Sequence, residues 1–206
     1  MSLAVSPDGG KVAVGGDEGQ IYLFHLGVAS PTPISLGSSL KVSVASLTFS
    51  YDGQWLAAVD TSSAIYLWQL RGKQPTSYGP FSPTPSGPEV DGWNLAYAYS
   101  LAFSPDNKTL AVVTRWKNLI LWDVESRAPV GILDAEDVSY SLAFSPDGTT
   151  LAAGGLRHSV LLFNIDPESW VKVACLMTSR RFTGSDLQQF GEGVLTQTCA
   201  ADGNVR

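Results

Sequence analysis

Few residues in this chain have the chemistry for catalysis. His25 and His158 are its two imidazoles, Cys175 and Cys199 its two thiols. A catalytic centre needs an acid, a base and a nucleophile or metal in mutual hydrogen-bond reach, and a lone histidine is a weak signal of one. Two cysteines far from any histidine make neither a structural zinc site nor a disulfide framework. Four aspartates, Asp8, Asp52, Asp106 and Asp147, could supply oxygen ligands to a hard cation. Each lies in a Pro-Asp-Gly type segment, however, where its carboxylate already has backbone N–H groups to hold. No glycine-rich phosphate loop ending in Gly-Lys-Ser or Gly-Lys-Thr occurs. The sequence therefore predicts no catalytic, cofactor-binding or metal-binding residues and no enzyme activity.

Binding chemistry is better supplied. Arg115-Trp116-Lys117 sets a tryptophan between two cations, and Arg157-His158 offers a second basic pair. Trp and Arg are over-represented at interaction hot spots, so these five residues form the expected partner-binding set. Trp116 reads equally as a ring lying over a sheet edge. The net charge of −6 and the pI of about 4.8 leave no basic stripe to follow a phosphate backbone, which argues against nucleic acid. No apolar run approaches the roughly 20 residues that span a bilayer. Met1 to Gly10 lacks the basic and apolar regions of a signal peptide. A reduced, cytoplasmic setting is expected.

The elements that must position these groups follow from an internal repeat. Ser6-Pro7-Asp8-Gly9, Ser50-Tyr51-Asp52-Gly53, Ser104-Pro105-Asp106-Asn107 and Ser145-Pro146-Asp147-Gly148 recur at steps of 44, 54 and 41 residues. Seventeen residues after the second turn residue stands an aromatic: Phe24, Trp68, Trp122 and Phe163. Before the turns, Leu3 and Val5, Leu47 and Phe49, Leu101 and Phe103, and Leu142 and Phe144 alternate with period two, which predicts one buried strand face in every unit. Six residues past the turn stand Ala13, Ala57, Ala111 and Ala152, small enough for sheets to approach closely. Ile21 and Leu23, with their counterparts through Val160 and Leu162, repeat the alternation in a third strand. Proline presets φ at the corner, aspartate bonds the backbone, and glycine or asparagine takes the left-handed position.

This pattern, Leu-Ala-Phe-Ser-Pro-Asp-Gly, an apolar strand, then Leu-Trp-Asp, resembles the WD-repeat β-propellers over residues 2–166. The Trp-Asp dipeptide is intact only at Trp122-Asp123; the other units carry Phe24-His25, Trp68-Gln69 and Phe163-Asn164. His25 thus takes the place of a blade aspartate. The family's Gly-His pair is missing, so the resemblance implies blades held by apolar packing rather than a His–Asp network. The expected fold is all-β: a partial, open propeller of four blades (about 1–40, 41–94, 95–135 and 136–166) and a short helical C-terminal tail, 167–206.

Outer strands are expected at Pro33 to Gly37, Lys73 to Tyr78 and Pro129 to Leu133, with none after the fourth unit. The insertion Gln74 to Trp93, carrying five prolines in fourteen residues, is expected to lack regular structure, with Trp93, Tyr97 and Tyr99 leading into the third blade. Asp166-Pro167-Glu168 has the residues of a helix start. The tail through Trp170, Ala174-Cys175, Arg180-Arg181 and Thr198-Cys199 resembles the ending of bacterial multidomain signalling proteins in which a nucleotide-binding switch precedes the repeats. That resemblance implies a C-terminal fragment whose partners are proteins or other domains of a parent chain. Open edges leave self-association as an outlet. The loops expected to form one binding face include Asp17-Glu18, Thr61-Ser62 and Asp134 to Asp137 beside the two basic clusters. The competing expectation is a propeller hydrolase or lactonase working in the central channel.

Overall fold

The computed structural model describes residues 1–28, 30, 32–36, 42–72, 74–81, 98–114, 118–135, 139–155, 159–166 and 169. Fifteen antiparallel strands in four sheets make up the described chain. The first sheet is β1 (Ser2–Val5), β2 (Lys11–Gly15), β3 (Ile21–His25) and β4 (Ile34–Ser35). The second is β5 (Val44–Phe49), β6 (Trp55–Asp60), β7 (Ile65–Gln69) and β8 (Thr76–Phe81). β9 (Ala98–Phe103), β10 (Thr109–Thr114), β11 (Asn118–Asp123) and β12 (Ala128–Asp134) form the third, and β13 (Ser139–Phe144), β14 (Thr150–Gly155) and β15 (Val160–Asn164) the fourth. In every sheet the strands lie side by side in chain order, the meander of a propeller blade. Met1–Leu162 is one compact unit and Phe163–Arg206 another.

Register gives each sheet two apolar faces. Leu47 opposes Ala58, and Phe49 opposes Leu56 and through it Trp68, so these residues share an aromatic face. Ala57 opposes Leu67, and Val59 opposes Ile65, on the other, alanine face. The alanine face of the first sheet, with Ala13, Ile21 and Leu23, packs on Leu47, Phe49 and Trp68 of the second. The alanine face of the second, with Ala57, Ile65 and Leu67, packs in turn on Leu101, Phe103 and Trp122 of the third. Gly15 shows how close the sheets come: a Cβ there would sit 2.6 Å from Val44 Cγ1 of the next sheet.

One expectation fails at the ends of this series. Leu3 and Val5 are 59% and 53% exposed, although Leu47, Phe49, Leu101 and Phe103 in the same columns are buried. Val160 and Leu162 are 67% and 70% exposed, where Ile65, Leu67, Leu119 and Leu121 are buried. Period two identifies a strand face, but a neighbouring sheet buries it, and these two faces have none among the described residues.

The outer strands differ in detail from expectation. β4 is only two residues long, and β8 runs to Phe81, so part of the Pro-rich insertion is regular structure after all. Pro80 is tolerated because β8 is an edge strand that needs no N–H on its open side. The rest of the insertion, 82–93 with Trp93, lies outside the described residues, as does Tyr97 beyond it. Tyr99 is half-buried and meets the Tyr140 ring edge-on at 4.8 Å. At the expected helix start, Asp166 Oδ2 accepts from Ser169 N at 3.2 Å and Ser169 Oγ at 2.7 Å; both cysteines lie beyond the described residues.

Candidate functional site

The four turn aspartates hold the chain's corners. Asp8, Asp52, Asp106 and Asp147 accept from the N–H groups of Gly10, Gln54, Lys108 and Thr149 at 2.9–3.0 Å. They also accept from the hydroxyls of Ser6, Ser50, Ser104 and Ser145 at 2.5–2.6 Å. Each serine oxygen in turn accepts the N–H five residues on, at 2.8–2.9 Å. The serine is thus the hub of the turn, a role its mere recurrence in the sequence did not reveal. Gly9, Gly53, Asn107 and Gly148 stand at φ of 68°, 64°, 63° and 74°, the left-handed conformation that glycine and asparagine accept. The Ser6 hydroxyl, then the Gly10 amide, holds the Asp8 carboxyl below its ordinary value, and Ser145 with Thr149 does the same for Asp147. No cluster of metal-ligating groups forms among the described residues. His25 is exposed at the end of β3, opposite Lys11.

Of the expected binding loops, Arg115, Trp116, Lys117, Arg157 and His158 lie outside the described residues, as do 136–137. Thr61-Ser62 is described, and its serine is already engaged. Buried Asp60 accepts from Ser62 N, Ser62 Oγ and Ala64 N at 2.8, 2.6 and 3.0 Å through one oxygen, and from Tyr66 OH at 3.3 Å through the other. Burial, then the Asp60 charge, pushes the Tyr66 phenol up to about 12. The second sheet therefore has a carboxylate network of its own in place of the family's His–Asp pair, beyond the apolar packing the sequence implied.

Two concave surfaces are described. One, about 310 Å³, lies where the inner strands of neighbouring sheets end, lined by Pro7, Phe49, Tyr51, Phe103, Leu142 and Phe144. It is apolar and suits an aliphatic or aromatic group. The other, about 450 Å³, is a cleft between the second and third sheets. Trp55 and Tyr78 enter it from the alanine face of the second sheet, their ring centroids 5.9 Å apart and tilted by 46°. Turns supply Arg71 from the second sheet, and Lys108, Glu125 and Arg127 from the third. The intact Trp-Asp dipeptide anchors the turn on its far side: Trp122 is buried in the core, and Asp123 Oδ1 accepts from Ser126 N at 2.7 Å while its carbonyl accepts from Arg127 N at 2.9 Å. That turn sets Arg127 at φ 57° and its guanidinium 3.9 Å above the Tyr78 ring. Sequence reasoning passed over this cleft. The available signal was Trp55, an aromatic in a column where the other units carry Lys11, Thr109 and Thr150.

Residues 35–69, 92–123 and 128–164 match the family model of the WD domain, G-beta repeat, together half of the chain. Each matched segment ends at the third strand of a sheet, in step with the observed meanders. The chain belongs to the WD40 repeat family. WD repeat-containing protein 1 of Xenopus tropicalis is similar to it, 27% identical over 113 residues that cover 53% of this chain and 16% of that protein. The chain thus spans a small part of that relative's length.

Proposed function

We propose that this chain is a non-catalytic scaffold for protein–protein interaction, a four-bladed C-terminal segment of a cytoplasmic bacterial signalling protein with a nucleotide-binding switch, followed by a helical tail at 167–206. One observation carries the scaffold reading. Among the described residues, Leu3 and Val5 on the aromatic face at one end of the sheet series and Val160 and Leu162 on the alanine face at the other are exposed, and exposed apolar surface on a sheet face marks a site of protein contact. Each face has the residue columns that, between the inner sheets, accept a sheet of the opposite kind. Other blades of a parent chain, or a second copy, fit them by the same packing. The bacterial context rests on the resemblance of the tail alone. Arg115, Trp116, Lys117, Arg157 and His158 remain the proposed partner-contacting loop residues. A channel hydrolase is not favoured by the apolar lining of Phe49, Phe103 and Phe144.

Light scattering on the eluting chain tests the scaffold reading. The purified chain is expected to show a mass that rises with concentration, and Leu3→Lys with Val5→Lys to lower it toward the monomer. A monomeric wild type at every concentration contradicts the reading, and so does esterase or lactonase turnover abolished by His158→Ala.

A further inference from the structure

We infer that the cleft between the second and third sheets is a docking site for an acidic peptide segment of a partner protein, its apolar side chain against Trp55 and Tyr78 and its carboxylates on Arg71, Lys108 and Arg127. This rests on the scaffold reading above and names one surface that would carry it.

The cleft's size, about 450 Å³, lies within the range of sites that hold small ligands or a few side chains. Its apolar floor is fixed in advance, because Trp55 and Tyr78 are both partly buried against the core shared by the two sheets. Its charge is out of keeping with the rest of the chain. On a molecule of net charge −6, three cations line one cleft against the single carboxylate of Glu125. No ion pair is formed by Arg71, Lys108 or Arg127 among the described residues; Arg71 Nε donates to neutral Gln54 Oε1. Unpaired cations around an apolar floor complement a segment that carries carboxylates beside an apolar residue.

Arg127 is already oriented. Its turn is capped by Asp123 and its guanidinium is stacked on Tyr78, which leaves the edge of the fork free to meet a carboxylate. Less side-chain freedom is then lost on binding. The turn geometry also disfavours a free phosphate as the occupant. Phosphate sites are commonly built from unengaged backbone N–H groups. Here the N–H groups of Asn107, Val124 and Arg127 already donate to the carbonyls of Ser104, Lys108 and Asp123, and that of Lys108 donates to the Asp106 carboxylate. What remains is side-chain charge around two rings, suited to a peptide.

Random dodecamer peptides displayed on phage, panned on the full chain at low salt, provide the probe. Enriched peptides are expected to carry two or more Asp or Glu beside an aliphatic or aromatic residue and to quench tryptophan emission. Fluorescence anisotropy of one such synthetic peptide should weaken by about 10-fold or more with Lys108→Glu/Arg127→Glu, a loss on the order expected for reversing two contact charges. Lys11→Glu on the first sheet should change it less than about 2-fold. Both cleft positions are exposed, so folding is expected to survive and circular dichroism checks it. Enriched peptides without acidic character, or affinity unchanged by the double reversal, overturn the cleft assignment. A chain that self-associates through its bare faces yet fails here overturns the cleft alone, whereas a chain monomeric throughout overturns the scaffold reading first.

Discussion

The second and third sheets carry the same residue columns as the first and fourth, yet their fates differ. Leu56, Ala57, Leu110 and Val112 are fully buried because each inner sheet is covered on both faces. Leu3 and Val5 of the first sheet and Val160 and Leu162 of the fourth stand largely in solvent. The difference teaches that a repeat column encodes a contact with the next unit rather than burial within its own. Stability in such an array is approximately the sum of unit and interface contributions, so interior and end positions of identical type should respond differently to the same substitution.

The largest contrast is expected in the core. Leu110→Ala opens a cavity at the interface of the second and third sheets and should cost about 2–5 kcal/mol in urea unfolding. Leu3→Ala, in the exposed column, should cost no more than about 0.5 kcal/mol. Equal losses would break the comparison.

A steric version comes next. Gly15 and Gly154 occupy the same register of the first and fourth sheets. A Cβ at Gly15 meets Val44 at 2.6 Å, whereas one at Gly154 meets only Ser141 Oγ, at 3.0 Å. Gly15→Ala should destabilise by about 1–3 kcal/mol through overpacking, and Val44→Ala in the same chain should recover part of it. Gly154→Ala should fall well below that, as thermal melts of the three variants will show.

The turns give a smaller contrast. Ser50 is fully buried and bridges Asp52 to the amide of partly buried Trp55, so Ser50→Ala leaves that N–H without its partner at a cost of about 1–3 kcal/mol. Ser145 makes the same bonds at a half-buried site, where water can replace the hydroxyl, and Ser145→Ala should cost less.

The smallest effects are pH-dependent. Asp8 and Asp147 have depressed pKa values when folded, so their contribution is present above the ordinary value of 3.8 and lost as pH falls through the lower folded value. Asp8→Asn should therefore flatten the acid limb of stability against pH. Tyr66 has the opposite sign: its raised value means a contribution intact below the ordinary 10.0 and lost as pH climbs toward about 12. Absorbance titration should find a late-titrating phenol in the wild type that is lost in Tyr66→Phe.

Much of the fold was legible because its signals are local. The Pro-Asp-Gly corners and the aromatic seventeen residues on fix strand, turn and strand within each unit, and the inner three strands fall where the columns place them. The outer strands were less legible, since β4 and β8 depend on pairing with β3 and β7 rather than on a pattern of their own. Exposure at the ends was legible only in outline, as the open ends expected of a four-unit array; the columns themselves predict a buried face in every unit, because a face's neighbour is not written in its own residues. The cleft escaped for a related reason: Trp55 and Arg127 lie far apart in sequence and meet only through the packing of two sheets. The Asp60 network escaped because no motif announces a carboxylate that serves its own loop.

Residue-resolved amide hydrogen exchange on the native chain tests the central claim, alanine face on aromatic face with an exposed face at each end of the described sheets, most directly. Protection in β6 and β10 is expected to exceed that in β2 and β14, the equivalent second strands of the end sheets, by about 10-fold or more, since less thoroughly packed strands open more easily. Equal protection in all four strands, or greater protection in β2 and β14, would contradict it.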